Sequence, residues 1–402
     1  MRVLVIQNVD PNQKYAIAVT LRNLIIGFLK HRRNKIEINF ICSKRLGGID
    51  NKIIFFETKT NLYSLVDNFI FIFRSYNFLK KINKNEKIDI IQCRYPFSSL
   101  IGAILFKKMI SLDVKIVYDI RSLWIETLAE NSKIFSNKII KKFCYWLESK
   151  LYKFIDGFIF LNEFIEDYYR SYIPNLNMKP KEYTYSEYEK IEIKKDFSLK
   201  ERLKIGKKDF IIGVVTHLDK RREVDFLLYG FKSFLDKYKP KKNIILLIIG
   251  GGDEKRRLEN LIKVLKLKNV ILTDYVEHKY IYNFLSIFDI GVSHLPKKTI
   301  FEVSSPLKVI EYLSIGIPTL ASNIKAHVFF KKYVGSYIHL YDNNYESFAD
   351  ELNYFVNHLP KRDVFFKYSV MLEKLFGFST ISGKYISLYQ ELLLGENKNG
   401  VK

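Results

Sequence analysis

The chain has 402 residues, enough for two or three domains that each bury a core. Its 48% hydrophobic and 27% charged residues fit a folded chain, and no apolar run approaches the roughly 20 residues that cross a bilayer. Lys and Arg number 66 against 43 Asp and Glu, a net charge of +23. That excess attracts phosphates, nucleic acid or an anionic membrane, but the same bias towards Lys, Ile, Asn, Tyr and Phe arises from an AT-rich coding sequence. Three scattered cysteines, Cys42, Cys93 and Cys144, form no disulfide or zinc spacing, and a reducing cytoplasm is expected.

In chain order, Met1–Gln7 lacks the length of a secretory signal, and Arg2–Gln7 predicts a first strand. Tyr15–Lys30 has helical periodicity. Ile36–Cys42 and Ile53–Phe56 predict strands, and Leu62–Ile82 an amphipathic helix. Ile88–Gln92, Lys115–Asp119 and Gly157–Leu161 predict further strands. Between and after them, Ser98–Met109, Lys133–Phe154 and Glu163–Tyr169 predict helices. This alternation implies a parallel doubly wound sheet. Residues 174–207 lose the periodicity and are expected to be a linker. A second series follows: strands at Phe210–Val215, Asn243–Ile249, Val270–Leu272, Ile290–Ser293 and Thr319–Ala321. Helices are expected at Val224–Tyr238, Glu254–Leu265, Lys279–Ile287 and Leu307–Ile315. The expected organisation is a Rossmann-like domain over 1–173, the linker over 174–207, a second such domain over 208–375 and a tail over 376–402. Two such sheets place ligands beyond the carboxyl ends of their strands.

The most informative segment is Ser304–Ser322. Ser305 can cap a helix whose first position suits Pro306, and Gly316 can close it. Lys308 and Glu311 lie three apart and share a face near the helix start. A lysine at a helix N-terminus is a ready anion site, and a glutamate one turn on can accept two hydrogen bonds from a ribose diol. Together they describe a nucleotide-diphosphate pocket. A solvated Lys–Glu pair has the same spacing.

This segment resembles the donor-binding motif of family 4 glycosyltransferases, in the version Ser-Pro-x-Lys-x-x-Glu-Tyr-x-x-x-Gly-x-Pro. The resemblance implies that Glu311 holds the donor ribose, with Ser305 and Lys308 in the donor site. The family's second glutamate, which contacts the donor sugar, falls at Val303, so Glu302 beside it is the candidate. Gly213–Phe231 resembles the family's first strand and loop of the C-terminal domain, where an arginine and a lysine clamp the donor diphosphate. Arg222 falls on the lysine and His217 on the arginine. An exposed basic turn gives the same Lys220-Arg221-Arg222 run. Leu247–Asp253 resembles the family's strand followed by Gly-x-Gly, and its glycines also suit a tight turn. Tyr118–Glu126 resembles the segment whose histidine faces the donor sugar. Arg121 takes that place, with a pair to Glu126 as its structural alternative. Arg94 follows the preceding strand at the same sheet edge. Ile173-Pro-Asn175 resembles the family's end of the N-terminal domain. The first loop, Asp10–Tyr15, lacks the family's Gly-Gly. Lys14 is the residue there that can supply charge.

The resemblance implies an α/β chain of GT-B-like architecture: two Rossmann-like doubly wound domains facing a cleft, with Gly383–Leu394 returning towards the N-terminal domain. It implies retaining transfer of a sugar from a nucleotide-diphosphate donor to a glycan or lipid-linked acceptor in surface polysaccharide assembly. Arg121 and Glu302 are then the catalytic candidates, and Lys14 and Arg94 line the acceptor side. No Asp-x-Asp motif and no metal-ligand spacing occur, so neither cofactor nor metal is expected. The aromatic, basic Val66–Ile82 stretch suits a sheet-packing helix, or attachment to an anionic membrane at the inner face of the plasma membrane. Three rivals remain: a nucleotide-sugar epimerase of the same architecture, a catalytically silent relative, and a nucleic-acid-binding protein. The last rests on charge alone and has no recognised module, so nucleic acid is not an expected partner.

Overall fold

The computed structural model describes residues 1–13, 16–30, 36–47, 54–60, 65–94, 97–131, 135–173, 176–187, 197–360 and 365–399. The chain divides into two units. One comprises Met1–Glu187, Val303–Ser305 and Leu375–Lys402, the other Tyr188–Glu302 and Pro306–Lys374.

In the first unit the elements run β1 (Arg2–Gln7), α1 (Ala16–Lys30), β2 (Glu37–Cys42), β3 (Phe55–Glu57), α2 (Leu65–Asn85), β4 (Ile90–Arg94), α3 (Ser98–Met109), β5 (Lys115–Ile120), α4 (Trp124–Asn131), α5 (Lys138–Leu151), β6 (Gly157–Phe160), α6 (Glu163–Arg170) and β7 (Lys181–Tyr183). Among the described residues its strands form one sheet in the order β3-β2-β1-β4-β5-β6-β7, and every pairing is parallel. A parallel sheet is covered on both faces, so its strands are apolar throughout rather than alternating. Val3, Leu4, Val5 and Ile6 of β1 are all fully buried.

In the second unit the elements run α7 (Phe197–Arg202), β8 (Phe210–Val215), α8 (Val224–Tyr238), β9 (Ile244–Ile249), α9 (Lys255–Val264), β10 (Val270–Leu272), α10 (His278–Leu285), β11 (Ile290–Ser293), α11 (Thr299–Glu302), α12 (Leu307–Ser314), β12 (Thr319–Ser322), α13 (Lys325–Val334), β13 (Ile338–Tyr341), α14 (Tyr345–Asn357) and α15 (Phe365–Phe376). The described strands pair in parallel in the order β10-β9-β8-β11-β12-β13. The chain closes with α16 (Phe378–Asn399), which belongs to the first unit. There the Tyr385 ring of α16 meets the Phe28 ring of α1 edge-on, 5.6 Å between centroids.

Two expectations need correction. The stretch 174–207, expected as a linker of weak periodicity, carries two regular elements among its described residues. Lys181–Tyr183 pairs with β6 as an edge strand of the first sheet, and Phe197–Arg202 is helical. Edge strands this short carry too few residues to show a period. The expected helix Lys133–Phe154 begins at Lys138, where the Asn137 side chain accepts from the Ile139 backbone N–H, and tightens into a 3-10 turn at Tyr152–Phe154.

In each sheet the chain winds one way and then the other. The order reverses between β1 and β4 in the first unit, and between β8 and β11 in the second. Ligands of open α/β sheets gather where the order reverses, outside the carboxyl ends of the strands. Those ends lead into Asn8–Asn12 and Arg94 in the first unit, and Thr216–Asp219 and His294 in the second.

Candidate active site

In the second unit, α12 is fixed by tight packing at the reversal point. Gly213 of β8 and Gly291 of β11 leave room for rings. A Cβ on Gly213 would lie 2.0 Å from the Phe288 ring, and one on Gly291 would lie 2.5 Å from Tyr312. The Tyr312 hydroxyl accepts from the Val215 backbone N–H at 2.9 Å, keying α12 to the end of β8. Pro306, not Ser305, occupies the N-cap position, and no side chain caps the helix. Ser305 belongs to the first unit. There its hydroxyl accepts from the Ser186 N–H at 3.0 Å, and its carbonyl accepts from the Ser186 hydroxyl at 2.9 Å. On the first turn of α12, the Lys308 Nζ donates to Glu311 Oε2 at 2.6 Å. The glutamate is buried, at 2% side-chain exposure, while the lysine keeps 29%. A buried carboxylate thus anchors a cation that still reaches solvent.

The loop after β8 carries His217 and Arg222. Asp219 organises it. One carboxylate oxygen accepts from the Arg222 backbone N–H at 3.1 Å, which starts a 3-10 turn over Lys220–Arg222. The other pairs with the Arg221 guanidinium at 3.0 Å and lies 3.4 Å from His217 Nδ1. Arg222 points elsewhere. Its guanidinium lies over the Phe301 ring, 5.5 Å from the centroid, and burial pushes its pKa below the ordinary arginine value against the opposing pull of Asp219. Beside it, Lys298 pairs with Glu223 at 2.7 Å.

Gly250-Gly251-Gly252 supports this loop from below. Gly250 and Gly252 have φ of 159° and 154°. A Cβ on them would come 1.8 Å from the Thr216 carbonyl oxygen and 2.3 Å from that of Leu218. Only glycine lets the two backbones lie this close. Leu218 N–H donates to the Gly251 carbonyl, and Glu254 N–H to the Leu218 carbonyl, both at 3.0 Å.

Glu302 ends α11, and its carboxylate accepts from the Lys325 N–H at 2.8 Å, at the start of α13. The carboxylate therefore serves as an anion at a helix N-terminus. The flanking histidines are buried and neutral. Burial pushes His294 down to about 3 and His327 to about 4. His327 donates from Nδ1 to the Ser322 carbonyl at 2.7 Å, which leaves Nε2 to accept from Ser293 at 2.9 Å.

In the first unit the candidate residues sit in a closed ionic cluster. Arg94 is fully buried, with Nε 2.8 Å from Asp119 Oδ2. That oxygen also accepts from Gln92 at 2.8 Å and from the Tyr385 hydroxyl at 3.0 Å. Arg121 does not pair with Glu126. It donates to the Thr184 hydroxyl at 2.6 Å and the Tyr185 carbonyl at 2.9 Å, and lies 3.4 Å from Glu187. Burial pulls the arginine pKa down, but Glu187, Tyr385 and Asp119 together lift it above the ordinary value. Glu126 instead accepts from Lys141, Tyr145 and Tyr168. Lys14, Pro174 and Asn175 lie outside the described residues.

The second unit thus gathers His217, Arg222, Lys308 and Glu311 at the carboxyl edge of one sheet, and turns Glu302 to α13. Sequence reasoning missed Asp219, Phe301 and Tyr312, which hold these side chains. Asp219 had a readable signal, an aspartate three residues before Arg222 at a helix start. Among the described residues, no group of three His, Cys, Asp or Glu side chains is placed to hold a metal ion.

Two Rossmann-type units, each built on an open parallel sheet, are the architecture of the GT-B fold. The family described as Glycosyl transferases group 1 matches residues 196–369, and the family described as Glycosyltransferase Family 4 matches residues 18–177. Each half of the chain thus matches a glycosyltransferase family, which supports a glycosyltransferase of GT-B fold. Among solved structures it is similar to sucrose-phosphate synthase from Thermosynechococcus elongatus, at 14% identity and TM-score 0.75 over 98% of this chain and 99% of that one. A glycosyltransferase from Rickettsia africae ESF-5 matches at 14% identity and TM-score 0.71, covering 98% of both chains. Anabaena HepE in complex with UDP and glucose matches at 12% identity and TM-score 0.68, over 96% of this chain and 98% of that one. No curated protein sequence matches the chain.

Proposed function

We propose that this glycosyltransferase moves a sugar from a nucleotide-diphosphate donor to a glycan or lipid-linked acceptor, with retention of anomeric configuration, in the assembly of surface glycans. The observation that carries the reading is the Lys308–Glu311 pair on the first turn of α12, at the same sheet edge as the Arg222 loop. Glu311 accepts the two ribose hydroxyls. Lys308 and Arg222 face the diphosphate, and His217 donates a further hydrogen bond. These charges are worth more as the sugar–phosphate bond breaks and negative charge builds on the leaving oxygen. The attacking hydroxyl passes its proton to that departing phosphate oxygen, so no separate base is required. The first unit holds the acceptor, with Arg121 and Arg94 fixing the wall behind it.

Two fixed cations neutralise the leaving diphosphate, and we propose that the reaction needs no metal ion. Activity should survive EDTA. Loss of activity that Mg²⁺ or Mn²⁺ restores would overturn this. The donor reading is tested by thermal shift across UDP-, GDP-, ADP- and CMP-sugars. One class at about 100 times its Kd should stabilise the chain by about 2.7 kcal/mol. A UDP-sugar is the first to try, since HepE was solved with UDP and glucose. If no nucleotide sugar shifts the transition, the donor site is wrongly placed.

A further inference from the structure

The amino-terminal edge of the second sheet, at the other end of the strands from the candidate site, is a field of lysines. Three loops enter β8, β9 and β10 there. Loop 203–209 carries Lys204, Lys207 and Lys208, and loop 239–243 carries Lys239, Lys241 and Lys242. Loop 265–269 adds Lys266 and Lys268. All eight are exposed. The three strands are neighbours, so the loops converge. Phe210 N–H donates to the Asn243 carbonyl and Leu246 N–H to the Asn269 carbonyl, both at 2.9 Å, and the Lys242 ammonium lies 4.9 Å from the Phe210 ring centroid. Asp209, the acidic residue of these loops, turns onto the Gly206 N–H at 2.7 Å. Elsewhere on this unit lysines pair with carboxylates, as Lys232 does with Asp236, Lys237 with Asp350 and Lys255 with Asp274. Among the described residues, the lysines of this edge meet no carboxylate.

Between the second and third loops lies an open hollow of about 470 Å³, lined by Lys239, Lys241, Lys242, Asn243 and Asn269 among others. The Asn269 amide donates to Asn243 Oδ1 at 3.0 Å. The backbone singles out lysine here. Lys204, Lys239 and Lys266 have φ of 56°, 42° and 53°, in the left-handed region. Each closes a helix end through its own N–H, onto the carbonyls of Glu201, Leu235 and Lys263 at 3.0, 3.1 and 3.0 Å. Glycine or asparagine suits that conformation, and lysine strains it. An AT-rich coding sequence supplies asparagine as readily as lysine, so base composition does not select lysine at these positions. A cation at a helix C-terminus complements the dipole, but that accounts for three of the eight and not for the rest.

We propose that this edge binds an anionic glycan, a chain of sugars bearing carboxylate or phosphate groups, at a distance from the transfer site. Lysine ammoniums are point charges on flexible stems and follow scattered anions. The Asn243 and Asn269 amides both donate and accept, which suits sugar hydroxyls. These loops carry no arginine and no aromatic residue, so they lack the forks and stacking faces that hold nucleic acid. The six residues of β9 separate the two edges of the sheet by about 20 Å. A polymer held at one edge therefore leaves the other open, and tethering raises the concentration of its acceptor end near the enzyme. The proposal rests on the glycan acceptor proposed for the transfer site. Its binding is read without donor, so a chain that held the polymer but no nucleotide sugar would refute the donor reading alone.

The test is calorimetric titration of the full chain with oligogalacturonate, with neutral dextran of the same length, with polyglutamate of the same charge and with duplex DNA. Oligogalacturonate should bind at least about tenfold tighter than dextran, and its binding should weaken steeply between about 0.05 and 0.3 M salt. It should also bind at least about threefold tighter than polyglutamate or DNA, and Asn269→Ala should erase that preference. Lys239→Asn with Lys266→Asn should cut oligogalacturonate binding about tenfold or more. The same variant should hold or raise the unfolding temperature, because asparagine relieves the left-handed backbone. Lys331→Gln with Lys332→Gln removes the same net charge from α13 and should change binding less than about twofold. Equal losses in the two double variants would mean that overall charge alone acts, and would overturn the proposal. So would a parent chain that binds oligogalacturonate no better than dextran at low salt. Polyglutamate or DNA bound as tightly as oligogalacturonate would also overturn it, and would assign the edge to an acidic protein or to nucleic acid.

Discussion

The two units handle buried charge in opposite ways. In the first, Arg94 and Arg121 are enclosed, and each is met by a carboxylate of its own unit, Asp119 or Glu187. In the second, Glu311 is enclosed while its partner Lys308 stays 29% exposed, and Asp219 is occupied by Arg221 and by the backbone of Arg222 rather than by the Arg222 guanidinium. A charge neutralised within the fold holds the fold. A charge supported from beneath and left open above can hold a ligand. The lesson is that arginines at a sheet edge are sorted by what meets them, not by where they fall in the chain.

The most severe way to break this comparison is Arg94→Met. It strands Asp119 in a dry interior, and losing one partner of such a pair costs about 3–5 kcal/mol. Gln92 and Tyr385 still donate to Asp119, which places the expected loss near the lower figure. Calorimetric unfolding should show it, and adding Asp119→Asn should recover most of it. An Arg94→Met chain as stable as its parent would show that the cluster carries no structural weight.

Glu148 sharpens the same contrast, because it is a buried carboxylate faced by Trp124, Tyr169 and Tyr172 rather than by a cation. Burial pushes it up to about 7. The folded state thus favours the protonated form, whereas an unfolded glutamate titrates near 4.3. Its contribution to stability is fully present below about pH 4 and is lost as pH rises through 7. At 1.36 kcal/mol per pKa unit the loss is about 3–4 kcal/mol. Glu148→Gln cannot ionise. Its stability relative to the parent should therefore climb by up to that amount between about pH 4 and 8, read from unfolding temperatures. A flat difference would mean that Glu148 titrates at its ordinary value.

Glu311→Gln probes the open side. The amide keeps one acceptor and loses the charge, and hydrogen bonds to charged groups are worth about 1.5–3 kcal/mol. Nucleotide-sugar affinity should fall by up to about a hundredfold while the unfolding temperature holds. Unchanged affinity would remove Glu311 from the site.

How much of this was legible depends on the range of the interaction that decides it. The Lys308–Glu311 pair was readable, because i,i+3 geometry is local to a helix. The all-apolar strands were readable, because burial on two faces leaves no polar position. The partner of Arg121 was not. Glu187 lies 66 residues away, and the nearby Glu126 was the natural guess until Lys141, Tyr145 and Tyr168 filled it. Glu302 is similar, since its helix-capping bond spans 23 residues. The apolar side of α5 was visible as a helix but not as a surface, where Phe143 and Trp146 are 58% and 54% exposed. Periodicity shows that a stripe exists, and only packing shows which way it faces.

The finest test separates two neighbours in one turn. Arg221 and Arg222 are adjacent and equally charged, and in the sequence only the register of the family resemblance ranks them. The structure divides their partners: Arg221 is held by Asp219, while Arg222 lies on Phe301. If Arg222 faces the diphosphate, Arg222→Ala should lower kcat by about tenfold and raise KM less, because the contact strengthens as the leaving group departs. Arg222→Lys should recover part of the loss, since charge persists although the bidentate fork does not. Arg221→Ala should change kcat less than about twofold, because Asp219 still accepts from the Arg222 N–H and keeps the turn. Equal losses in the two alanine variants would mean that the turn as a whole matters rather than the Arg222 charge. A silent Arg222→Ala would pass the role to Lys308, whose removal should then account for the whole cationic contribution to kcat.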